Sequence, residues 1–542
     1  MQRFVSARSA MFAVLVLAAV VLFHIVIGLP LLSADHDYWL EPGGDMATMM
    51  AGHYAIIDQP WHFPLGVTTA LRGEAVPTSI VYTDSLPWLT LIMKALGLGR
   101  VLNPLALFLL IAYVAQALAM VALLRACGVR RLSSLLLGGL LSLFFPAWLS
   151  RQLGHIALAG HFLLILGATW TVLVARFGLT RRRIIEIAML GLVATGTHPY
   201  HLVPVAACLG AGLLSELLQR RAKAWTNAAV TAVAFVAAVA FAAWALGYGG
   251  VGMSGGGVSL GSFSMNVLGP LWPQASALAG QTWNGVWFTG TLEVLGQPFE
   301  GYNYLGAGVL LIVFAAGVQV VIGLVRGRKP DAAAWRRFGP LIAALVVLTV
   351  YAIGPRPYFG PFLMFDVGRP TGLFGDIVGL FRCHGRFFWI VGYAILAFGV
   401  VQVDRLQPGR LGIGLLVLAL APAGRRHEPD DPRRSWRLCA DDAFLRRRAA
   451  HRSGARRPSL ALPAGDRVLQ QCRRLGDDAD VASGVAPPRR LQFRTGGPPA
   501  CGQLRGRVGG QGRRRARRPD DHRRDRRPRR EACPVRGLRP AL

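Results

Sequence analysis

The stretch Ala10-Met-Phe-Ala-Val-Leu-Val-Leu-Ala-Ala-Val-Val-Leu-Phe-His-Ile-Val-Ile-Gly-Leu-Pro-Leu-Leu32 decides the fold class. It carries no acidic residue, lysine or arginine, and it has the roughly twenty residues that a helix needs to cross a bilayer core of about 30 Å. Arg3 and Arg8 precede it, as they would in a signal peptide. The apolar stretch is too long for one, however, and no small-x-small cleavage site follows. It reads as an uncleaved first span with its N-terminus in the cytoplasm.

Working outward, further apolar runs occupy Val101–Leu124, Ser133–Ser150, His155–Arg176, Ile184–Thr197, His201–Leu218, Trp225–Tyr248, Asn303–Val325, Phe338–Gly354, Phe387–Val403 and Leu411–Ala421. With the first span this makes about eleven segments, some of them short, and lipid forces such segments into helices because their backbone has no water to bond to. The fold class is therefore an all-α polytopic membrane protein of about 10–11 transmembrane helices over residues 1–423.

Basic residues set the orientation. One group (Arg125, Arg130, Arg131) follows the second span, and another (Arg176, Arg181–Arg183) follows the fourth. A third (Arg220, Arg221, Lys223) precedes Trp225, and a fourth (Arg326, Arg328, Lys329, Arg336, Arg337) separates two later runs. All four fall on the cytoplasmic side only if Ile184–Leu218 goes out and back, turning at Thr197-His-Pro-Tyr-His201, where the proline favours a break. Leu86–Leu98 is too short to span, contains Lys94, and reads as an interfacial helix.

The cytoplasmic connections are then short and basic, while the outer face receives the ionisable residues. Immediately after the first span comes Ser33-Ala-Asp-His-Asp-Tyr-Trp-Leu-Glu-Pro-Gly-Gly-Asp-Met46, with four carboxylates and a histidine. The outer loops 33–85 and 249–302 each exceed about fifty residues, far longer than connectors need to be. The working face is expected to be extracytoplasmic, and the location to be a bacterial inner membrane.

Residues 424–542 change in character. They hold 32 Arg and 13 acidic residues, +19 of the chain's +31, with no Lys, Ile, Asn, Tyr or Met. The composition of the preceding residues would place about a dozen Ile, Tyr and Met there. A disordered basic tail is one reading. Translation of a GC-rich gene out of frame is the other, and the missing residue types favour it. The net charge therefore argues for no nucleic-acid partner.

No P-loop, dinucleotide-binding glycine fingerprint or G-x-S-x-G occurs, and no C-x-x-C pair supports a structural zinc site. Gly44-Asp45, Trp61-His-Phe-Pro-Leu-Gly66, Tyr82-Thr-Asp-Ser-Leu-Pro87, Arg151-x-x-Gly-His155 with His161, Glu300-Gly-Tyr-Asn-Tyr-Leu-Gly306 and Phe381-Arg-Cys-His-Gly-Arg-Phe-Phe-Trp389 resemble an uncharacterised family of bacterial polytopic proteins. That family is similar in layout to the GT-C class of membrane glycosyltransferases. The resemblance implies a polyprenyl-phosphate-linked sugar donor used on the outer face, and an acidic motif in the first outer loop.

Asp45 is the first candidate for catalytic base. Asp37, from the literal D-x-D of Asp35-His36-Asp37, is the second, and Asp84 is placed to orient an acceptor or a metal. The chemistry wants a carboxylate to take the acceptor proton and a cation or guanidinium to neutralise the departing phosphate. Asp35, His36, Arg151, His155, Arg382 and Arg386 are the substrate-binding candidates, the arginines through their planar fork. No cofactor follows from the sequence, and a divalent cation stays open as the alternative to arginine.

Plainer roles stand beside these. Asp45 could cap a helix, Arg151 could snorkel from a span end, and His198 and His201 read as polar turn residues rather than ligands. A transporter or flippase of lipid-linked glycans, or a non-catalytic membrane assembly protein, is the alternative function. A transporter should carry midplane ionisable groups and an internal repeat, and no repeat is visible.

Overall fold

The computed structural model describes residues 2–421 apart from 41–44, 72–76, 153, 250–262, 273–299, 329–330, 369–370, 373–374, 376–377 and 407–408. The Gly43-Gly44 pair, most of loop 249–302 with its glycine-rich run, and residues 424–542 lie outside the described residues.

Each apolar run becomes helix. The helices are α1 (Gln2–Val26), α2 (Asp45–Ile57), α3 (Pro87–Ala95), α4 (Pro104–Ala126), α5 (Leu132–Leu143), the single turn α6 (Pro146–Leu149), α7 (Phe162–Phe177), α8 (Arg181–Thr195), α9 (Pro199–Leu218), α10 (Ala224–Leu246), α11 (Ala307–Val325), α12 (Ala332–Ile353), α13 (Trp389–Asp404) and α14 (Gly409–Leu420). Two small antiparallel pairs, β1 (Val67–Thr68) with β2 (Thr78–Ser79) and β3 (Tyr358–Phe359) with β4 (Phe362–Leu363), are the strands among the described residues. Caps explain several starts. Asn103 Oδ1 accepts from the amides of Leu105 and Ala106, with Pro104 in the first helical position.

Eight stretches among the described residues are long and apolar enough to cross a membrane. The other three of the roughly eleven segments are helices too short for a full crossing: α5 and α14 of 12 residues, and α8 of 15. The spans divide by burial. Ile156–Phe177 buries 83% of its apolar window, His384–Asp404 67% and Pro104–Ala126 61%, so α7, α13 and α4 form the centre. Ala332–Ile353 buries only 17% and Ala307–Val325 22%, leaving apolar side chains such as Val346, Val347 and Val350 on the outside. In water such a surface would be a liability; in lipid it is the natural outer face. The chain is a polytopic α-helical membrane protein.

The segment Ile184–Leu218 does break where its proline stands. α8 ends at Thr195, and α9 starts at Pro199 and packs back on α8. All four basic groups consequently meet at one end of the bundle. Arg176 bonds the carbonyl of Ala126, Arg221 donates to the carbonyls of Val174 and Ala175, Ser215 Oγ donates to the carbonyl of Arg337, and Arg131 donates to that of Asp404. At the opposite end, Asn103 N–H donates to Leu32 O, so α1 finishes where α4 begins. The described parts of the segments 33–85 and 249–302 belong to that second end. α3 is a nine-residue helix, and Lys94 on it donates to the carbonyls of Ile56, in the last turn of α2, and of Gln59 just beyond it.

Candidate functional site

Residues from six separate segments converge at the non-basic end. The convergence begins with two glycines. A Cβ on Gly385 would stand 2.6 Å from Gly301 Cα, so only glycine lets these backbones touch. Asn303 Nδ2 locks the contact by donating to the carbonyls of Gly301 and Gly385. Glu300 and Arg386, each adjacent to one of these glycines, are thereby held face to face.

Glu300 Oε2 accepts from Arg386 Nε at 2.9 Å and Nη2 at 2.7 Å, and from Arg151 Nη1 at 3.1 Å. All three side chains are at most 5% exposed. Arg386 also lies over the Tyr200 ring and Arg151 over the Trp389 ring, contacts that suit desolvated guanidinium. Burial works against a charge on Glu300. The hydrogen bond from His155 and the charges of Arg386 and Arg151 overcome it, and the carboxyl is held down to about 2.

His155 links this buried centre to the surface. Its Nε2 is 3.5 Å from Glu300 Oε1, and its Nδ1 is 3.2 Å from Asp45 Oδ2. The Asp45 side chain is 59% exposed, so the row Asp45, His155, Glu300 runs from the outside to the interior. Asp45 is the first residue of α2. There a carboxylate also faces the positive end of the helix dipole.

A second acid–imidazole pair lies beside the first. His198 caps α9, its Nδ1 accepting the Tyr200 amide N–H at 3.2 Å. That use of Nδ1 places the ring proton on Nε2, which is 3.2 Å from Asp84 Oδ1. Asp84 itself adopts φ +54°, a left-handed conformation that aspartate tolerates better than most residues. Burial opposes its charge, but its interaction with His198, with Arg386 further off, holds its carboxyl below the ordinary carboxylate value.

Of the sequence candidates, Asp45, Asp84, Arg151, His155 and Arg386 thus come together. Arg382 does not join Arg386: it is exposed and lies over the Phe263 ring. Arg386 lies within the buried 3-10 turn His384–Phe388, and Arg382 precedes that turn. The D-x-D leads into the 3-10 turn Asp37–Leu40. Asp35 N–H donates to Ser33 Oγ, His36 Nδ1 accepts from the Tyr38 amide, and the Asp37 side chain lies outside the described residues. Asp45 heads its helix rather than capping it, and Arg151 is buried in an ion pair rather than snorkelling to the surface.

Glu300 is the residue that was not assigned from sequence. The available signal was charge balance: two arginines drawn into outer-end motifs require a buried carboxylate, and Glu300 stands alone in its motif. His198 likewise does more than turn the chain. Among the described residues, no group of three or more His, Cys, Asp or Glu side chains is arranged to hold a metal ion.

Deeper in the bundle, Gln116 Nε2 donates to Tyr393 Oη at 2.6 Å, and Tyr393 Oη lies 2.9 Å from His161 Nδ1. This line connects the site end with the interior of α4 and α13.

Such a layout, with spans clustered around an ionic centre at one end, defines a multi-span membrane protein with one built polar face. Over residues 16–421 the sequence matches the family described as a domain of unknown function, DUF6311, and the chain belongs to that family. Residues 424–542 lie beyond the matched region. No curated protein and no solved structure matches the chain.

Proposed function

We propose that the chain is a GT-C-like membrane glycosyltransferase, moving a sugar from a lipid-linked donor to an acceptor at the extracytoplasmic end of the bundle. One observation carries this reading: an accessible carboxylate, Asp45, is linked through the His155 imidazole and the Glu300 carboxylate to two buried guanidiniums. That is the pairing of base and phosphate partner which the transfer needs. The positive-inside rule supports placing the basic end in the cytoplasm of a bacterial inner membrane, with α1 starting there.

In the proposed step Asp45 takes the proton of the acceptor hydroxyl as its oxygen bonds to the anomeric carbon. The bond from that carbon to the phosphate oxygen breaks, and polyprenyl phosphate leaves with the electron pair. Arg151 and Arg386 exchange Glu300 for the phosphate, and His155 orients Asp45. Asp84, held by His198, stands ready to position the acceptor.

The test is Asp45→Asn, nearly isosteric but unable to take the proton. Transfer of labelled sugar in vesicles should fall by about 10²-fold or more, with donor-lipid binding and protein level unchanged. Full activity in this variant would sink the assignment of Asp45. The transporter reading has its own support in the polar line Gln116–Tyr393–His161 inside the bundle. It predicts that glycan translocation in vesicles needs Tyr393 while no glycosidic bond forms.

A further inference from the structure

The loop after α12 turns back in the β3–β4 hairpin and exposes six apolar side chains almost in succession: Phe359, Phe362, Leu363, Met364, Phe365 and Val367. Phe362 is 70% exposed and Val367 71%. A run of this kind in water is unfavourable by about 25 cal/mol per Å², so its surroundings need explaining.

The backbone of the hairpin is already prepared for a dry medium. Gly360, at φ +61°, forms the tip with Pro361. Both polar groups of Gly360 are taken by one buried side chain: its N–H donates to Asn266 Oδ1 at 3.0 Å, and its carbonyl accepts from Asn266 Nδ2 at 2.7 Å. Val267 N–H donates to Tyr358 O, Met364 N–H to Pro357 O and Val367 N–H to Pro355 O. A tip whose backbone is satisfied internally can leave water without the usual penalty. At its base, Arg356 and Asp366 pair at 3.0 Å with both side chains nearly half exposed.

The hairpin also starts where lipid already lies. α12 ends at Ile353, five residues before Tyr358, and the exposed Val346, Val347 and Val350 belong to its last two turns. The apolar tip continues that face, and the charged base sits at its margin, the arrangement of segments that lie in the bilayer interface.

The geometry points to the β3–β4 hairpin as a membrane-seated foot, its apolar side chains Phe359, Phe362, Leu363, Met364 and Phe365 immersed in the leaflet at the site end of the bundle and its Arg356–Asp366 pair at headgroup level. The occupant of this surface is the bilayer itself. The inference does not rest on the glycosyltransferase reading and survives its failure.

The test uses the full chain with its natural cysteines replaced, reconstituted in vesicles of phosphatidylethanolamine and phosphatidylglycerol. A nitroxide is attached at Phe362→Cys, at Phe365→Cys and, as a water-facing control, at Arg328→Cys. Oxygen concentrates in hydrocarbon, and a charged nickel chelate stays in water. The oxygen-to-chelate relaxation ratio should be several-fold higher at positions 362 and 365 than at 328. A ratio equal to the control would overturn the proposal. Exclusion of both reagents would overturn it too, since it would mean that protein, a second copy or a further segment of this chain, covers the hairpin. If the cysteine-free chain does not fold, a photoreactive acyl-chain lipid reads the unaltered protein. Label on the peptide holding residues 358–367 supports the foot, and label confined to span peptides removes it.

Discussion

At the basic end of the bundle, Arg176, Arg183 and Arg221 point guanidinium donors at backbone carbonyls of helix ends, those of Ala126, Gly178, Val174 and Ala175. At the other end, Arg151 and Arg386 are buried against a single carboxylate oxygen of Glu300. The first arrangement satisfies carbonyls that a helix terminus leaves open, and it follows from topology alone. The second strips charges of water and survives only while its partner is present. Arg221 also reaches the buried Glu216 carboxylate at 3.4 Å, so the mark of the ionic centre is two buried guanidiniums converging on one carboxylate oxygen, against one half-open arginine shared among carbonyls and Glu216.

The largest effect that could break this contrast belongs to Glu300. Glu300→Gln keeps the shape but leaves two guanidiniums buried without a carboxylate, and it should cost about 3–5 kcal/mol of stability. Thermal unfolding in detergent measures it, and an unchanged midpoint would remove the ionic centre as a structural element. Acid offers a milder route to the same centre. The Glu300 carboxyl is held from 4.5 to about 2, so its contribution is present above the unfolded value and is lost as pH falls from 4.5 toward about 2. An unfolding midpoint followed through that window should drop in the natural chain and stay flatter in Glu300→Gln.

A smaller effect sharpens the comparison between the ends. Arg386→Lys keeps the charge but gives up the fork that presents Nε and Nη2 together, a loss of about 1.5–3 kcal/mol or roughly tenfold or more in donor affinity. Arg181→Lys, exposed at the basic end, should change donor binding within the error of a titration. Equal weakening by both would mean that arginines at the two ends do not differ in function.

Sequence patterns read the helices well because each span carries its own signal. Ala10–Leu32, the break before Pro199 and the grouping of basic residues all depend on neighbours in the chain. The number of full crossings was less legible, since α5, α8 and α14 are apolar but too short by length. The site was legible in part. Asp45, Arg151, His155 and Arg386 stand out as ionisable groups beside apolar runs. Glu300 does not, because its partners lie 149 and 86 residues away and only the Gly301–Gly385 contact brings them to it. The D-x-D is conspicuous by its spacing alone; the described bonds there are those of the Asp35 amide and of His36 Nδ1, and the Asp37 side chain lies outside the described residues. Arg382 and Arg386 look equivalent on paper, but Arg386 falls inside the buried 3-10 turn and Arg382 before it.

His155 touches Asp45 with one nitrogen and Glu300 with the other. A neutral imidazole has only one N–H, so it can serve one of these carboxylates as donor and must turn a lone pair toward the other. Only the imidazolium satisfies both. At this point the first turn of α2 therefore meets the ionic centre through one imidazole ring, and a side chain at position 155 without two opposed ring nitrogens would leave Asp45 and Glu300 with no shared neighbour.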